Sequence, residues 1–414
     1  MKSKEIKILA VVESIDVNDS SGSKANVALI QNLNKLGYNI LICHYSRKEI
    51  QIENIKCIAL AENRNSLLFF MSRAERYLRT YLNIRLNIYI DKIYGFSFTL
   101  LNDRNSIING LRKIDNFSPD LILTLSKGGS FRPHHALLKL PEFHDRWLAY
   151  FHDPYPMHLY PPPYAWVEAG YYKKWKFVKK VSESANFFGF PSLLLRDWMG
   201  SYFQNFLSRS FIIPHQIVDI KTNENLILPE YFNPDNFNLL HAGTLLKQRD
   251  PKRLIQAFIN FLEMTPEAKE KARLIFVGPS FYKKQLSQYS KNIIIDDYLD
   301  FKVVFGMQSK ASANIILEAN AQISPFLPGK FPHCIQANRP IMLIGPKLSE
   351  SRRLLGEDYS FWSENMEVDE ITKLINKLYN NWNKNEVTLL NREDLREYLS
   401  ETYLNETIQQ ILRE

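Results

Sequence analysis

The run Ser324-Pro325-Phe326-Leu327-Pro328-Gly329-Lys330-Phe331-Pro332-His333 sets three prolines, a glycine and a lysine just after the apolar stretch 313–317. Proline lacks the N–H that a central strand needs, so this loop cannot extend a sheet. It offers rigid backbone amides and one ammonium outside the carboxyl end of a buried strand, where open α/β sheets bind ligands. An anionic, phosphorylated ligand fits that chemistry. A second cation, Arg249, follows the turn Gly243-Thr244 and precedes Asp250-Pro251 and a helix. Its planar guanidinium suits phosphate oxygens, and a helix N-terminus nearby also favours anions. Gly243 and Gly278 each end a strand where a ligand must come close to the backbone. The plainer alternatives are a solvated loop lysine, a surface arginine and simple turn glycines.

Further candidates lie in the first half. Phe151-His152-Asp153-Pro154 follows a strand. A neutral imidazole there can hydrogen-bond a hydroxyl, with Asp153 orienting it or contacting an acceptor, although Asp before Pro is also ordinary turn chemistry. Ser20-Ser21-Gly22-Ser23 is a small polar turn after the first strand; with one glycine it is no dinucleotide fingerprint. Lys127-Gly128-Gly129-Ser130-Phe131-Arg132-Pro133-His134-His135 is another candidate loop. Its paired histidines would point oppositely on an extended chain, and Asp296-Asp297 reads as a loop, so no metal is expected.

These groups need a scaffold of alternating strands and helices. Apolar runs at 8–12, 38–43, 119–124, 147–151, 185–190 and 210–214 read as buried parallel strands, with a helix at about 24–35 ended by Gly37. A second cycle runs through 238–243, 273–278, 292–295, 313–317 and 340–346, and helices close the chain. The pattern predicts α/β architecture with two doubly wound Rossmann-like domains, 1–218 and 219–395. A last helix, 396–414, would pack back on the first domain. Between 61 and 112 the alternation lapses. Arg64, Arg73, Arg76, Arg79 and Arg85 are there interleaved with Phe and Tyr. This is either a set of helices covering the sheet or a surface for an amphipathic acceptor or membrane headgroups. The lysine-aromatic run 171–180 carries the same two readings: a solvated helix face, or contact with anionic lipid.

The chain has 414 residues, 45% hydrophobic and 23% charged, which suits two globular domains and argues against disorder. A net charge of +8 points to an anionic partner. Only three cysteines occur, without metal spacing, as expected in a reducing, cytoplasmic setting. No run of 18 apolar residues is present, so at most peripheral membrane contact is expected.

The ordered series resembles the GT-B-fold retaining glycosyltransferases of the group 1, family 4-like type, clearly over 237–346 and more loosely over 6–45 and 119–215. It comprises His241-Ala242-Gly243-Thr244 through Arg249-Asp250-Pro251, Val277-Gly278-Pro279, the proline-rich loop, and Ala337-Asn338-Arg339-Pro340-Ile341. The resemblance implies two domains facing each other across a cleft, and a nucleoside diphosphate sugar as donor, with no cofactor. It also implies a glycan or lipid-linked glycan as acceptor, in surface polysaccharide or glycoconjugate synthesis. It places Arg249 and Lys330 on the diphosphate, with Thr244 where an arginine is common. His152 falls on the sugar, and Gly22, Ser23, Gly129 and His215 along the cleft. The family's two glutamates fall, ungapped, at Pro325 and His333, and Glu318 is the nearest acid. A non-catalytic sugar-nucleotide-binding homologue is therefore the alternative reading. The basic residues lie in separated runs without a nucleic-acid module, so nucleic acid is not expected as a partner.

Overall fold

The computed structural model describes residues 5–218, 226–286, 289, 291–364, 366–384, 386 and 388–414. The chain divides into two compact units, one of residues 1–160, 165–216 and 401–414, the other of 161–164 and 217–400. The dividing point lies two residues before the expected one, and the short segment 161–164 belongs to the second unit, where the Tyr164 ring meets Phe326 at 5.8 Å.

In the first unit the strands are β1 (Lys7–Val12), β2 (Asn39–His44), β3 (Lys56–Ala59), β4 (Leu121–Leu125), β5 (Trp147–Tyr150), β6 (Phe187–Phe190) and β7 (Ser210–Ile212). They form one parallel sheet in the order β3-β2-β1-β4-β5-β6-β7. Ile8 pairs with Ile40 on one side and Leu121 on the other. Alternate β1 residues serve opposite cores: Leu9 and Val11 face one, Ile8, Ala10 and Val12 the other. Burial on both faces explains the unbroken apolar runs.

Six helices of this unit matter below: α1 (Ser21–Lys35), α2 (Leu67–Tyr81), α3 (Asn87–Tyr94), α4 (Phe98–Leu111), α5 (Arg132–Leu137) and α6 (Tyr171–Ser184). Helix α1 begins three residues earlier than its apolar stripe suggests. Ser20 caps it by accepting from the Ser23 amide, so the presumed glycine loop is in fact the first helical turn. His134 and His135 also sit in a helix, α5, and not on an extended chain. The C-terminal helix Glu401–Ile411 inserts Leu404, Ile408 and Ile411 into the core that holds Ile8 and Leu29. Of the 61–112 segment, α4 covers the sheet with seven buried residues, whereas α2 buries only Ser72 and α3 none.

The second unit holds β8 (Phe237–Ala242), β9 (Ala272–Val277), β10 (Ile293–Asp296), β11 (Ala313–Leu317), β12 (Ile323–Ser324), β13 (Ile341–Ile344), β14 (Leu348–Ser349) and β15 (Trp362–Ser363). Its main parallel sheet runs β10-β9-β8-β11-β13-β15, and β12 pairs with β14. Asp296 closes β10 instead of lying in a loop, and it accepts from the Tyr231 hydroxyl at 2.7 Å. Both sheets reverse strand order beside their first strand, between β1 and β4 and between β8 and β11. That is the place where open α/β sheets take ligands. No helix among the described residues is long and apolar enough to cross a membrane.

Candidate functional site

At the second unit's switch point, β8 ends in Gly243 and β9 in Gly278, both with left-handed φ, 138° and 123°. A Cβ on Gly278 would lie 2.9 Å from the Gly243 carbonyl oxygen, and the Gly243 amide donates to Val277 at 2.8 Å. The two turns are interlocked, and only glycine fits the second. Thr244 beside them is exposed.

Lys330 is not on a free loop. It immediately precedes the helix Phe331–Ala337, and its ammonium turns inward to donate to the Ile315 carbonyl of β11 at 2.9 Å. A Cβ on Gly243 would lie 3.9 Å from the Lys330 Nζ, so the two sequence-distant motifs meet. Burial pulls the ammonium down to about 7, with Arg249 adding to that effect and Cys334 and Glu318 opposing it. Arg249 keeps a buried Nε–H without a partner. Below them the fully buried His241 has neither ring nitrogen hydrogen-bonded. Burial, Lys330 and Arg249 together hold it neutral. Glu318 closes β11, accepting from the Ser351 hydroxyl at 2.8 Å. Burial raises its carboxyl to about 7 against the pull of Ser351, Ser349, Arg249 and Ser324. An arginine beside a lysine and an acid that burial holds near half-protonation forms a site that an incoming anion would stabilise by favouring the ammonium and the neutral acid.

His333 does not join this group through its ring, which packs on Phe301 at 4.8 Å from the next part of the helix Phe331–Ala337.

The first unit's switch point gathers the other candidates. His152, just past β5, is buried among strands, and its Nε2 lies 2.7 Å from Asn26 Oδ1. Asn26 donates its own amide to the Ser126 carbonyl at 3.1 Å, which fixes the side-chain oxygen toward the histidine. Nε2 must therefore carry the proton, and Nδ1, buried and unpartnered, is left as an acceptor. Burial, then His215 and His134, keep this imidazole well below the usual histidine range. His215 stacks over it at 5.8 Å and 17°. Asp153 follows at a bend, half-buried. Gly22 and Gly129 border the same region: a Cβ on Gly22 would be 3.8 Å from the Gly128 amide, and one on Gly129 3.5 Å from Met157. Ser23 is buried and turned onto Ser20 at 2.9 Å, so its hydroxyl belongs to the helix cap.

Three residues beyond the expected site residues complete these sites. Asn26 sits on the buried face of α1 among alanines and leucines, the signal that could have marked it. Glu13, directly past β1, accepts from the Lys127 amide at 3.2 Å, from Ser130 and from Arg132 Nη1 at 2.5 Å. Arg132 also reaches the buried Asp103 at 2.6 Å, which Tyr45 and Arg47 contact as well. This network braces the loops of the switch point; its carboxylates are committed to partners and are not open bases. The third is His241. Among the described residues no group of three or more His, Cys, Asp or Glu is arranged to hold a metal.

No protein-family model and no curated protein sequence matches the chain. Solved structures do. The E. coli trehalose-6-phosphate protein bound with UDP-2-fluoro glucose aligns over 99% of both chains, with TM-score 0.60 and 12% identity. The Burkholderia xenovorans UDP-forming α,α-trehalose-phosphate synthase in complex with glucose-6-phosphate covers 99% of this chain and 100% of its own, with TM-score 0.64 and 11% identity. Anabaena HepE in complex with UDP and glucose covers 99% and 100%, with TM-score 0.59 and 13% identity. These likenesses extend over the whole chain and give it the GT-B fold of two Rossmann-like units.

Proposed function

We propose that this GT-B chain is a glycosyltransferase that takes a nucleoside diphosphate sugar as donor and moves the sugar, with retention, to a glycan or lipid-linked glycan. The observation that carries the reading is the second unit's switch point, where interlocked Gly243 and Gly278 leave space beside Arg249 and the buried Lys330 ammonium. The neighbours' bound UDP and UDP-2-fluoro glucose support the choice of donor.

In this reading Arg249 and Lys330 neutralise the charge that develops on the departing diphosphate, where preorganised cations in a water-poor site act most strongly. Protonated Lys330 is drawn from its Ile315 contact toward the phosphate. His152 offers its Nδ1 lone pair to a hydroxyl of the sugar; Asn26 holds the tautomer and Asp153 lies beside it as an acceptor-side group. The reading invokes no metal. It places the reaction in the cytoplasm, in surface polysaccharide or glycoconjugate synthesis.

Thermal-shift measurements across nucleoside diphosphates and their sugars, followed by donor turnover, test it. A matching donor should raise Tm by mass action and be consumed when acceptor is present. Protection by UDP or GDP without turnover of any sugar nucleotide would instead favour a binding homologue, consistent with His333 and Pro325 where related enzymes carry acids. No protection by any nucleotide would overturn the reading.

A further inference from the structure

Helices α2, α3 and α6 separate their charges by depth. Asp91 of α3 faces inward beside Lys174 of α6, whose ammonium meets Glu168 at 2.8 Å, while Glu75 of α2, near Asp91, is paired at 3.7 Å with Arg79 at the surface. The end of α3 and the start of α6 touch backbone to backbone: a Cβ on Gly170 would lie 2.0 Å from the Asp91 carbonyl oxygen, and Lys173 lies across Gly95. The two basic-aromatic runs, distant in sequence, thus form one surface.

The outward side of that surface is basic and apolar together. Arg73, Arg76, Arg79, Arg85, Lys92 and Lys173 are exposed on it. Between them stand Phe70, Tyr77, Tyr81, Tyr89 and Ile93, each 59–73% exposed. Phe70, Tyr77 and Tyr81 recur at helical spacing along α2, forming a stripe with Arg73. Bulky side chains left this far in solvent on a helix with one buried residue are not part of a core.

We infer that the outer face of α2 and α3, continued by the start of α6, docks on an anionic lipid bilayer. Tyrosine and arginine suit that environment, because rings settle at headgroup depth while guanidinium groups pair with lipid phosphates. Each cation near an anionic leaflet contributes attraction that falls off within a Debye length. A second copy of the chain would set arginines against arginines, so the charge pattern disfavours self-association. This inference is independent of the donor site.

The test is sedimentation of the full chain with phosphatidylcholine vesicles, with and without phosphatidylglycerol, at low and high salt. The protein should partition at least about tenfold more onto the anionic vesicles, and high salt should release it. Arg76→Glu/Arg79→Glu and, separately, Phe70→Ser/Tyr81→Ser should each lower that partition by about tenfold or more while the circular dichroism stays native. Absent binding at low salt, or equal binding to neutral and anionic vesicles, would overturn the inference. So would full binding by both variants, or lipid-free self-association that both variants abolish.

Discussion

His152 carries the most specific chemistry at the level of single residues. Its Nδ1 is an acceptor only because Asn26 is anchored to Ser126 and can receive the Nε2 proton. Asn26→Asp keeps an acceptor but puts a carboxylate beside the ring, which stabilises imidazolium and turns Nδ1 into a donor. Sugar transfer should fall by about tenfold or more, with UDP affinity unchanged and the His152 pKa raised in NMR titration. Equal loss of both activities would remove His152 from the sugar. The second residue-scale effect concerns pH. Lys330 and Glu318 both titrate near 7, one pushed down and one up by burial. A diphosphate favours the ammonium and the neutral acid, both already present below that pH. Above it, binding must take up protons, so affinity should weaken by up to about tenfold per pH unit for each group. UDP-glucose, whose phosphates keep a fixed charge over this range, is the ligand to titrate by calorimetry. Lys330→Met should bind weakly at all pH values and lose its share of the slope; Glu318→Gln should lose the other share. Arg249→Ala should raise the donor KM or collapse kcat, and unchanged kinetics would remove it from the phosphate site.

Among the elements, the paired glycine turns decide whether the second site exists at all. Gly278→Ala combines a left-handed φ of 123° with a contact of 2.9 Å to backbone. Gly356→Ala has φ 102° and open space around it, so it isolates the strain from the clash. The first substitution should cost more, on the order of 1–3 kcal/mol in urea unfolding, and should weaken nucleotide binding; the second should leave binding intact. Helix α1 shows why element boundaries shift from their apparent place. Its apolar stripe starts after Lys24, but Ser20 can cap from further back, and capping by a polar side chain leaves no hydrophobic trace.

In the whole molecule, the chain end returns to its beginning. Tyr38 donates to Asn405 at 2.8 Å and receives Gln409 at 2.9 Å, and Leu404 is fully buried beneath. Leu404→Ala should destabilise the first unit by about 2–5 kcal/mol, seen as an earlier unfolding transition with nucleotide protection of the second unit preserved. The central strands of both parallel sheets were legible from apolar runs, because strands buried on both faces must be apolar throughout; the edge strands β3 and β15 and the β12–β14 pair were not, being short and only partly buried. The glycines at strand ends, Arg249, Lys330 and His152 were legible as types suited to anions and hydroxyls. What tertiary structure decided was which of them meet. Lys330 turns toward Ile315, His333 turns onto Phe301, and Asn26 reaches His152 across 126 residues of sequence. Proximity between distant side chains depends on register, helix phase and burial summed over the fold, and no local spacing encodes it. Burial likewise sets the two titrations near 7, whereas the sequence by itself determined only that a glutamate would follow β11 and a lysine stand in the proline-rich stretch after it.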